Sequence, residues 1–415
     1  MNTVTMAVTT SDLRERVRRL PGMERLLPAL AGLRPTFLVG GAVRDLLRGE
    51  RAVDLDLAVE GDAGAVAREL AVRLSGDARE HDRFGTATVR AGDLVFDLAT
   101  TRRERYARPG ALPTVAPAPL VEDLGRRDFT INAMAIGLTG DDLGHLYDPH
   151  GGIADLAAGV VRVMHAGSFV DDPTRLLRAI RYEARLGFGM DSETERMART
   201  AVAERAVDTV SGARIRDELL DLLREEDVRS AVERMRDIGL DRALHPALAA
   251  DPELVASASL GAVAIEADRA RSALAALVAP AIGALTRWLD GLQLTAQERD
   301  AVTRAARSAP RLARELRREL RPSEVYALLR DEPLEALAVA LALHAPSGPI
   351  LLFVRKLRHV RLAITGEDLV AAGVPESPLL GQGLEAALRR KLDGEVSGRE
   401  EELAAALEAA EAASS

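Results

Sequence analysis

From about Asp172 to the C-terminus, Leu and Ala recur at three- and four-residue spacing almost without interruption, which is the period of an α-helix. The first part of the chain, to about residue 150, is built differently. Short β-type runs at Thr36–Val39, Asp54–Val59, Thr86–Val89 and Leu94–Leu98 are separated there by helical or turn-rich stretches. The predicted class is therefore α+β: a mixed α/β N-terminal unit followed by an all-α array. Pro246, Pro280, Pro310, Pro322, Pro333, Pro346 and Pro375 are expected to punctuate the helices. Glu400–Ala413 reads as a charged, Ala-rich, solvated terminal helix.

At 415 residues and 47% apolar side chains, the chain can bury several packed units. It has no cysteine, which excludes disulfides, thiolate metal sites and cysteine nucleophiles. Any catalytic metal must then sit on oxygen or imidazole ligands. Met1–Thr10 lacks the basic start and apolar core of a secretory signal, and no stretch reads as a membrane span. A cytoplasmic location is the resulting expectation, with no membrane partner. The net charge of −9 argues against an RNA partner in bulk but is silent about its distribution. Nearly all cations are arginine, with lysine only at Lys356 and Lys391. Arginine forks suit phosphates and base edges, although a high-GC genome produces the same bias.

Three clusters carry chemistry. In the first, the predicted strand Thr36–Val39 runs into Gly40-Gly41 and a helix starting near Ala42. Such a turn can present backbone N–H groups to phosphates. Arg44 and Asp45 follow on that helix, and Asp54-Leu55-Asp56 places two carboxylates on one face of the next strand. Two carboxylates at i and i+2 can hold Mg²⁺ ions that also bind substrate phosphates, activate a hydroxyl and steady a leaving pyrophosphate. Asp97, in Val95-Phe96-Asp97-Leu98, is a candidate third carboxylate from a neighbouring strand. Taken alone, an Asp-x-Asp is as readily a solvated strand edge.

The second cluster is Arg126-Arg127-Asp128-Phe129-Thr130-Ile131-Asn132-Ala133, an arginine pair beside an expected helix start. Arginines there can clamp a triphosphate, and Asn or Asp can take ribose hydroxyls. The third is Asp171-Asp172-Pro173-Thr174-Arg175, continued by Arg178 and Arg181 and closed by Gly187. Asp172 is a good N-cap, Pro173 a good first helical residue and Gly187 a good stop. Asp172 and Arg175 are also three apart, so they can share a face. A carboxylate accepts from the exocyclic amine of cytosine or adenine while a guanidinium donates to the adjacent ring nitrogen. Guanine and uracil present a carbonyl at that edge, so such a pair selects C and A by leaving buried groups unpaired in the wrong complex.

Together, in order, these motifs resemble the class II CCA-adding enzyme and poly(A) polymerase family of tRNA nucleotidyltransferases. The resemblance runs from about Phe37 to Leu222 and returns loosely at Ile364–Leu369. It implies Asp54 and Asp56 as the metal ligands, and Asp97 is a candidate to join them as a third catalytic residue from its neighbouring strand. It also implies Arg126, Asp128 and Asn132 as nucleotide contacts and Asp171, Asp172 and Arg175 at the base; Gly40, Gly41, Arg44, Arg178 and Arg181 are further candidates for nucleotide binding. The implied activity is template-independent addition of C, C and A from CTP and ATP to the 3′ end of tRNA, with Mg²⁺. The alternatives are an A-adding enzyme with a separate CC-adding partner, a poly(A) polymerase, or an idle RNA-binding protein on the same fold. The implied layout is a catalytic head over residues 1–150, a helical neck with base recognition over 151–225, and a tRNA-binding body and tail over 226–415.

The chain departs from the family at two places. Asp171 stands where Glu is usual, and Ala213 replaces the glutamate that usually precedes the Arg-Ile now at Arg214-Ile215. Arg102–Gly110 resembles the mobile loop of members that add the terminal A. His81-Asp82 is the sole His-Asp dipeptide, and without partner histidines it does not suggest the phosphohydrolase domain of some relatives.

Overall fold

The computed structural model describes residues 9–50, 55–81 and 85–413. The expected Asp54 and Asp82 lie outside the described residues. Two compact units divide the chain, Met1–Glu218 with Ile238–Ala243, and Leu219–Asp237 with Leu244–Ser415. The first is mixed α/β around a sheet, and the second is helical, as the change of hydrophobic period predicts.

Nine strands matter to the site: β1 (Thr36–Val39), β2 (Asp56–Val59), β3 (Asp77–His81), β4 (Thr86–Ala91), β5 (Leu94–Thr100), β6 (Arg102–Arg105), β7 (Thr114–Pro117), β8 (Ala135–Gly137) and β9 (Leu146–Tyr147). Seven of them form one mixed sheet in the order β3-β4-β5-β2-β1-β8-β9. β1 is an interior strand, flanked antiparallel by β2 and β8, and all four of its residues are buried. In β5 the alternation is strict: Leu94, Phe96 and Leu98 are buried, while Val95 and Asp97 are exposed. The period of two along a strand therefore seats Asp97 on the open face of the sheet, over the same backbone whose other face packs the helix Ala63–Leu74. β2 runs parallel to β5 with Asp56 opposite Asp97, and Asp56 is exposed at the start of its strand.

The segment expected as a mobile loop is partly regular. Arg102–Arg105 is strand β6, paired antiparallel with β7 in a separate two-stranded hairpin. Within the segment connecting them Gly110 has φ +68, and a Cβ there would run into Thr209 Oγ1 and the Thr209 backbone. Only glycine fits that close approach.

Four other expectations are corrected. The Arg126–Ala133 octapeptide does not open a helix: it follows the end of the helix Leu120–Gly125 and holds a single 3₁₀ turn, Thr130–Asn132. Pro310 does not interrupt its helix, Ala296–Glu315, but lies inside it. A mid-helix proline costs about 3 kcal/mol, and burial of Ala305, Ala306, Ala309, Leu312 and Ala313 on one face of that helix offsets it. The terminal helix Gly398–Ala412 is not solvated all round. Ala405, Ala406 and Ala410 pack with Leu369 and Ala387, and Glu402 is fully buried with Lys391 at 2.6 Å and the Ala363 N–H at 2.6 Å. Finally, Arg269–Gly291 is long and apolar enough to cross a membrane by length and composition alone. It is not one continuous helix, for a 3₁₀ turn at Ala279–Ala281 separates Arg269–Val278 from Ile282–Gly291. Every residue from Ser272 to Val278 is buried in the second unit.

Candidate active site

β1 ends in Gly40, whose φ of +67 and ψ of −129 belong to a backbone region that only glycine occupies readily. The chain turns there into the helix Gly41–Arg48, one residue earlier than expected. The Gly40 N–H is taken by the Met134 carbonyl at 3.3 Å, so any phosphate cradle falls to the helix N-terminus that follows. This turn, the start of β2, the 126–132 segment and the helix Thr174–Leu186 enclose a polar cavity of about 800 Å³. Of the residues singled out in the sequence, Gly40, Gly41, Arg44, Asp56, Arg126, Asp128, Asn132, Asp172, Arg175 and Arg178 line it.

The arginines are held by acids and amides behind them. Arg44, 2% exposed, donates from Nε to Asp45 at 2.8 Å and from NH1 to Asn132 Oδ1 at 2.8 Å. Asn132 in turn donates to Asp128 Oδ1 at 3.1 Å, which also takes the Phe129 N–H at 2.8 Å. Asp128 Oδ2 accepts twice from Arg178, at 2.9 and 2.5 Å. Asp128 thus spends its accepting capacity on the protein. Arg178 extends to Glu218 at 2.9 Å, and Arg181 reaches the same carboxylate at 3.2 Å. Tyr182 lies beneath the guanidiniums of Arg44, Arg178 and Arg181, 5.3, 5.8 and 5.5 Å from its ring centre.

Burial opposes the charge on Asp128, yet the Arg178 guanidinium and the hydrogen bonds from Arg178, Asn132 and the Phe129 amide outweigh it and bring the carboxyl down from 3.8 to about 2. A carboxyl depressed on folding adds stability that is present above its unfolded value and is lost as pH falls through its folded one. The window is thus about pH 4 to pH 2, and the shift amounts to about 2 kcal/mol. We expect the stability difference between wild type and Asp128→Asn to shrink by about that amount between pH 5 and pH 2 in urea titrations. A difference independent of pH over this range would show that Asp128 is not held as described.

Arg126 donates to Asp123 Oδ1 at 2.9 and 2.8 Å and to Glu104 at 2.8 Å, and Arg127 donates to Asp123 Oδ2 at 3.0 Å. Burial pushes the Asp123 carboxyl up, but Arg127 and Arg126 bring it below the ordinary range. Burial and Glu104 raise the Tyr106 hydroxyl to about 12, so it stays protonated and donates to Glu104 at 2.9 Å. Sequence reasoning missed Asp123, Glu104, Tyr106 and Tyr182 as parts of the site. The one local signal was the three- and four-residue spacing from Asp123 to Arg126 and Arg127.

Asp172 accepts on Oδ1 from the Thr174 N–H at 3.1 Å and hydroxyl at 2.6 Å, and on Oδ2 from Arg214 at 2.7 Å. It caps the helix in effect from one residue further out than expected, since Pro173 holds the N-cap position. Arg175 is 5% exposed and donates from one NH₂ group to the Arg126 carbonyl at 2.9 Å. Its other group, NH1, is buried and finds no hydrogen-bond partner among the described residues. Arg175 itself lines the cavity, as does Arg127, whose Nε is likewise buried without a partner among the described residues, and unsatisfied buried donors are exceptions in folded proteins.

Three expected site residues stand apart from this cavity. Asp171 faces His165 at 3.9 Å, and Arg181 is tied to Glu218. Asp97 lines a smaller cavity of about 360 Å³ that also includes Asp56. It accepts from Thr88 Oγ1 at 2.6 Å, and that hydroxyl is 3.4 Å from His81 Nε2. His81 therefore closes a strand-edge contact, in keeping with a structural rather than a metal-binding histidine. Among the described residues no three His, Asp or Glu side chains converge as an ion site. Asp56 and Asp97 nevertheless offer hard carboxylate oxygens from adjacent strands on the open face, donors suited to Mg²⁺.

Residues 36–162 match the family described as Poly A polymerase head domain, and residues 187–251 match Probable RNA and SrmB- binding site of polymerase A. An A-adding tRNA nucleotidyltransferase of Geobacter sulfurreducens is 34% identical over 409 residues, 91% of this chain and 46% of the relative. One from Halalkalibacterium halodurans is 44% identical over 211 residues, 50% of this chain and 49% of the relative. The chain thus spans about half the length of these curated relatives. Among solved structures, an apo CCA-adding enzyme aligns with TM-score 0.80 and 33% identity, covering 95% of this chain and 97% of that one. The Thermotoga maritima CCA-adding enzyme complexed with tRNA aligns with TM-score 0.74 and 32% identity over 96% and 98%. The chain belongs to the class II CCA-adding enzyme and poly(A) polymerase family of tRNA nucleotidyltransferases.

Proposed function

We propose that this protein adds C, C and A from CTP and ATP to the 3′ end of tRNA, releasing pyrophosphate at each step. One observation carries the reading: a glycine turn, a bank of fixed arginines, the carboxylate of Asp56 and the Asp172/Arg175 pair all line a single cavity. Its volume of about 800 Å³ is ample for a nucleoside triphosphate. Relatives in complexes with ATP, with CTP and with tRNA support the substrate class. We read residues 1–150 as the catalytic head, 151–225 as the neck and 226–415 as the tRNA-binding body and tail.

On this reading Asp54 and Asp56, with Asp97, hold Mg²⁺, which when bound supplies Lewis-acid stabilisation of the phosphates and lowers the pKa of the attacking 3′-hydroxyl. Arg44, Arg126 and Arg178, braced by Asp45, Asn132, Asp123, Glu104 and Asp128, orient the triphosphate. Because these guanidiniums are already fixed, little reorganisation is left to the transfer step. Asp172 and Arg175 read the base edge and thereby replace a nucleic-acid template.

A second reading has specific support: the relatives from Geobacter, Halalkalibacterium and Aquifex aeolicus are A-adding enzymes. Incubation with tRNA lacking its CCA and with tRNA ending in CC, given CTP and ATP separately and together, separates the two. Incorporation of CTP followed by ATP on the first tRNA is the expected result. ATP incorporation confined to the CC-ending tRNA would establish the A-adding reading instead. Failure of both tRNAs to be extended would remove the proposal altogether.

A further inference from the structure

We propose that Arg214 is a positioning residue for nucleotide selection, fixing which oxygen of Asp172 is presented to the incoming base. The inference rests on the reading of Asp172 and Arg175 as the base-selecting pair. A carboxylate has about four accepting positions. Thr174 takes both on Oδ1, through its N–H at 3.1 Å and its hydroxyl at 2.6 Å. Arg214 NH2 takes one on Oδ2 at 2.7 Å. A single accepting position therefore remains, on Oδ2, and Arg175, whose NH1 has no partner among the described residues, lines the same cavity as Asp172. One acceptor and one donor on the same cavity are the complement of the amine and ring nitrogen shared by cytosine and adenine.

Thr174 alone would leave Asp172 free to rock about its Cβ–Cγ bond. Arg214 prevents this from the opposite side, and its own position is fixed by a second contact. Its NH1 donates to the Gly110 carbonyl at 3.3 Å, while the Gly110 N–H donates to the Asp171 carbonyl at 3.2 Å. The segment joining β6 to β7 is thus tied through one guanidinium to the carboxylate that reads the base. The planar fork of arginine spans the two acceptors, whereas a lysine ammonium is a point charge on a flexible stem.

The test is steady-state kcat/KM for CTP, ATP, UTP and GTP on a CC-ending and a truncated tRNA, using the full chain with Mg²⁺. Arg214→Gln is expected to lower the preference for CTP and ATP over UTP and GTP by about tenfold, with the KM for tRNA unchanged. Arg214→Lys, the more conservative change, should retain part of the preference. A folded Arg214→Gln protein with wild-type preference, or one slowed equally on all four nucleotides, would overturn the proposal. If Arg214→Gln does not fold, full wild-type preference in Arg214→Lys has the same force, and a partial loss supports it. Failure here is distinguishable from failure of the underlying reading. Should Asp172→Asn alter preference while both Arg214 variants do not, only the role of Arg214 falls. Should wild type incorporate no nucleotide, the function itself falls and this role with it.

Discussion

Asp56→Ala is expected to abolish nucleotide transfer while the protein stays folded. The side chain stands exposed at the start of β2, and its strand neighbours Leu57, Ala58 and Val59 carry the packing. Truncating it removes no buried apolar surface, so a stability change of no more than about 1 kcal/mol follows. Its loss to catalysis is of another order. A carboxylate that fixes the cation at a transferring phosphoryl group contributes several kcal/mol to the transition state, which is about a thousandfold or more in rate. Asp54→Ala should behave alike. Single-turnover incorporation with saturating Mg²⁺, beside urea midpoints, checks both. Rates within about tenfold of wild type would mean that other carboxylates hold the metal.

Asp172→Asn is expected to relax discrimination against UTP and GTP without unfolding the helix it precedes. The Thr174 N–H faces Oδ1 and needs an acceptor, so the asparagine amide should settle with its oxygen there and its NH₂ in place of Oδ2. Asparagine caps a helix about as well as aspartate, and the main stability cost is the pair with Arg214, whose side chains are 25% and 16% exposed. The group facing the base changes from acceptor to donor. Uracil and guanine carbonyls then find a partner, and the amine of cytosine or adenine finds a repulsive contact. A selectivity change of about a hundredfold is expected, because sites built on buried hydrogen bonds discriminate strongly. Arg175→Ala should slow CTP and ATP and relax selectivity together, since it removes the open buried donor. A folded Asp172→Asn protein that still prefers CTP and ATP as wild type does would rule out base reading by Asp172.

Several elements were determined by the sequence alone because their causes are local. The strand into Gly40 needs only a β-branched and aromatic run followed by a residue tolerant of positive φ. Asp97 falls on the open face of β5 because side chains alternate along any strand. Gly187, at φ +67, stops its helix for the same backbone reason that predicted it. The switch from period two to a helical period separated the α/β part from the helical part before any contact was known.

What only the tertiary structure decided are matters of partner. Pro310 is tolerated inside a helix because the opposite face of that helix, with Ala305, Ala309 and Leu312, is buried, and Glu402 is buried inside the terminal helix against Lys391. A helix's own residues do not say which of its sides will be covered. Glu104 and Arg126 are 22 residues apart, Arg178 and Asp128 are 50 apart, and Arg214 and Asp172 are 42 apart. No residue spacing encodes such pairs, since they exist only once the sheet and the helices above it enclose one cavity. The sequence could nominate Asp172 and Arg175 as a selecting pair. Which lone pair and which N–H remain open for a base depends on every other group that folding brings within hydrogen-bonding reach.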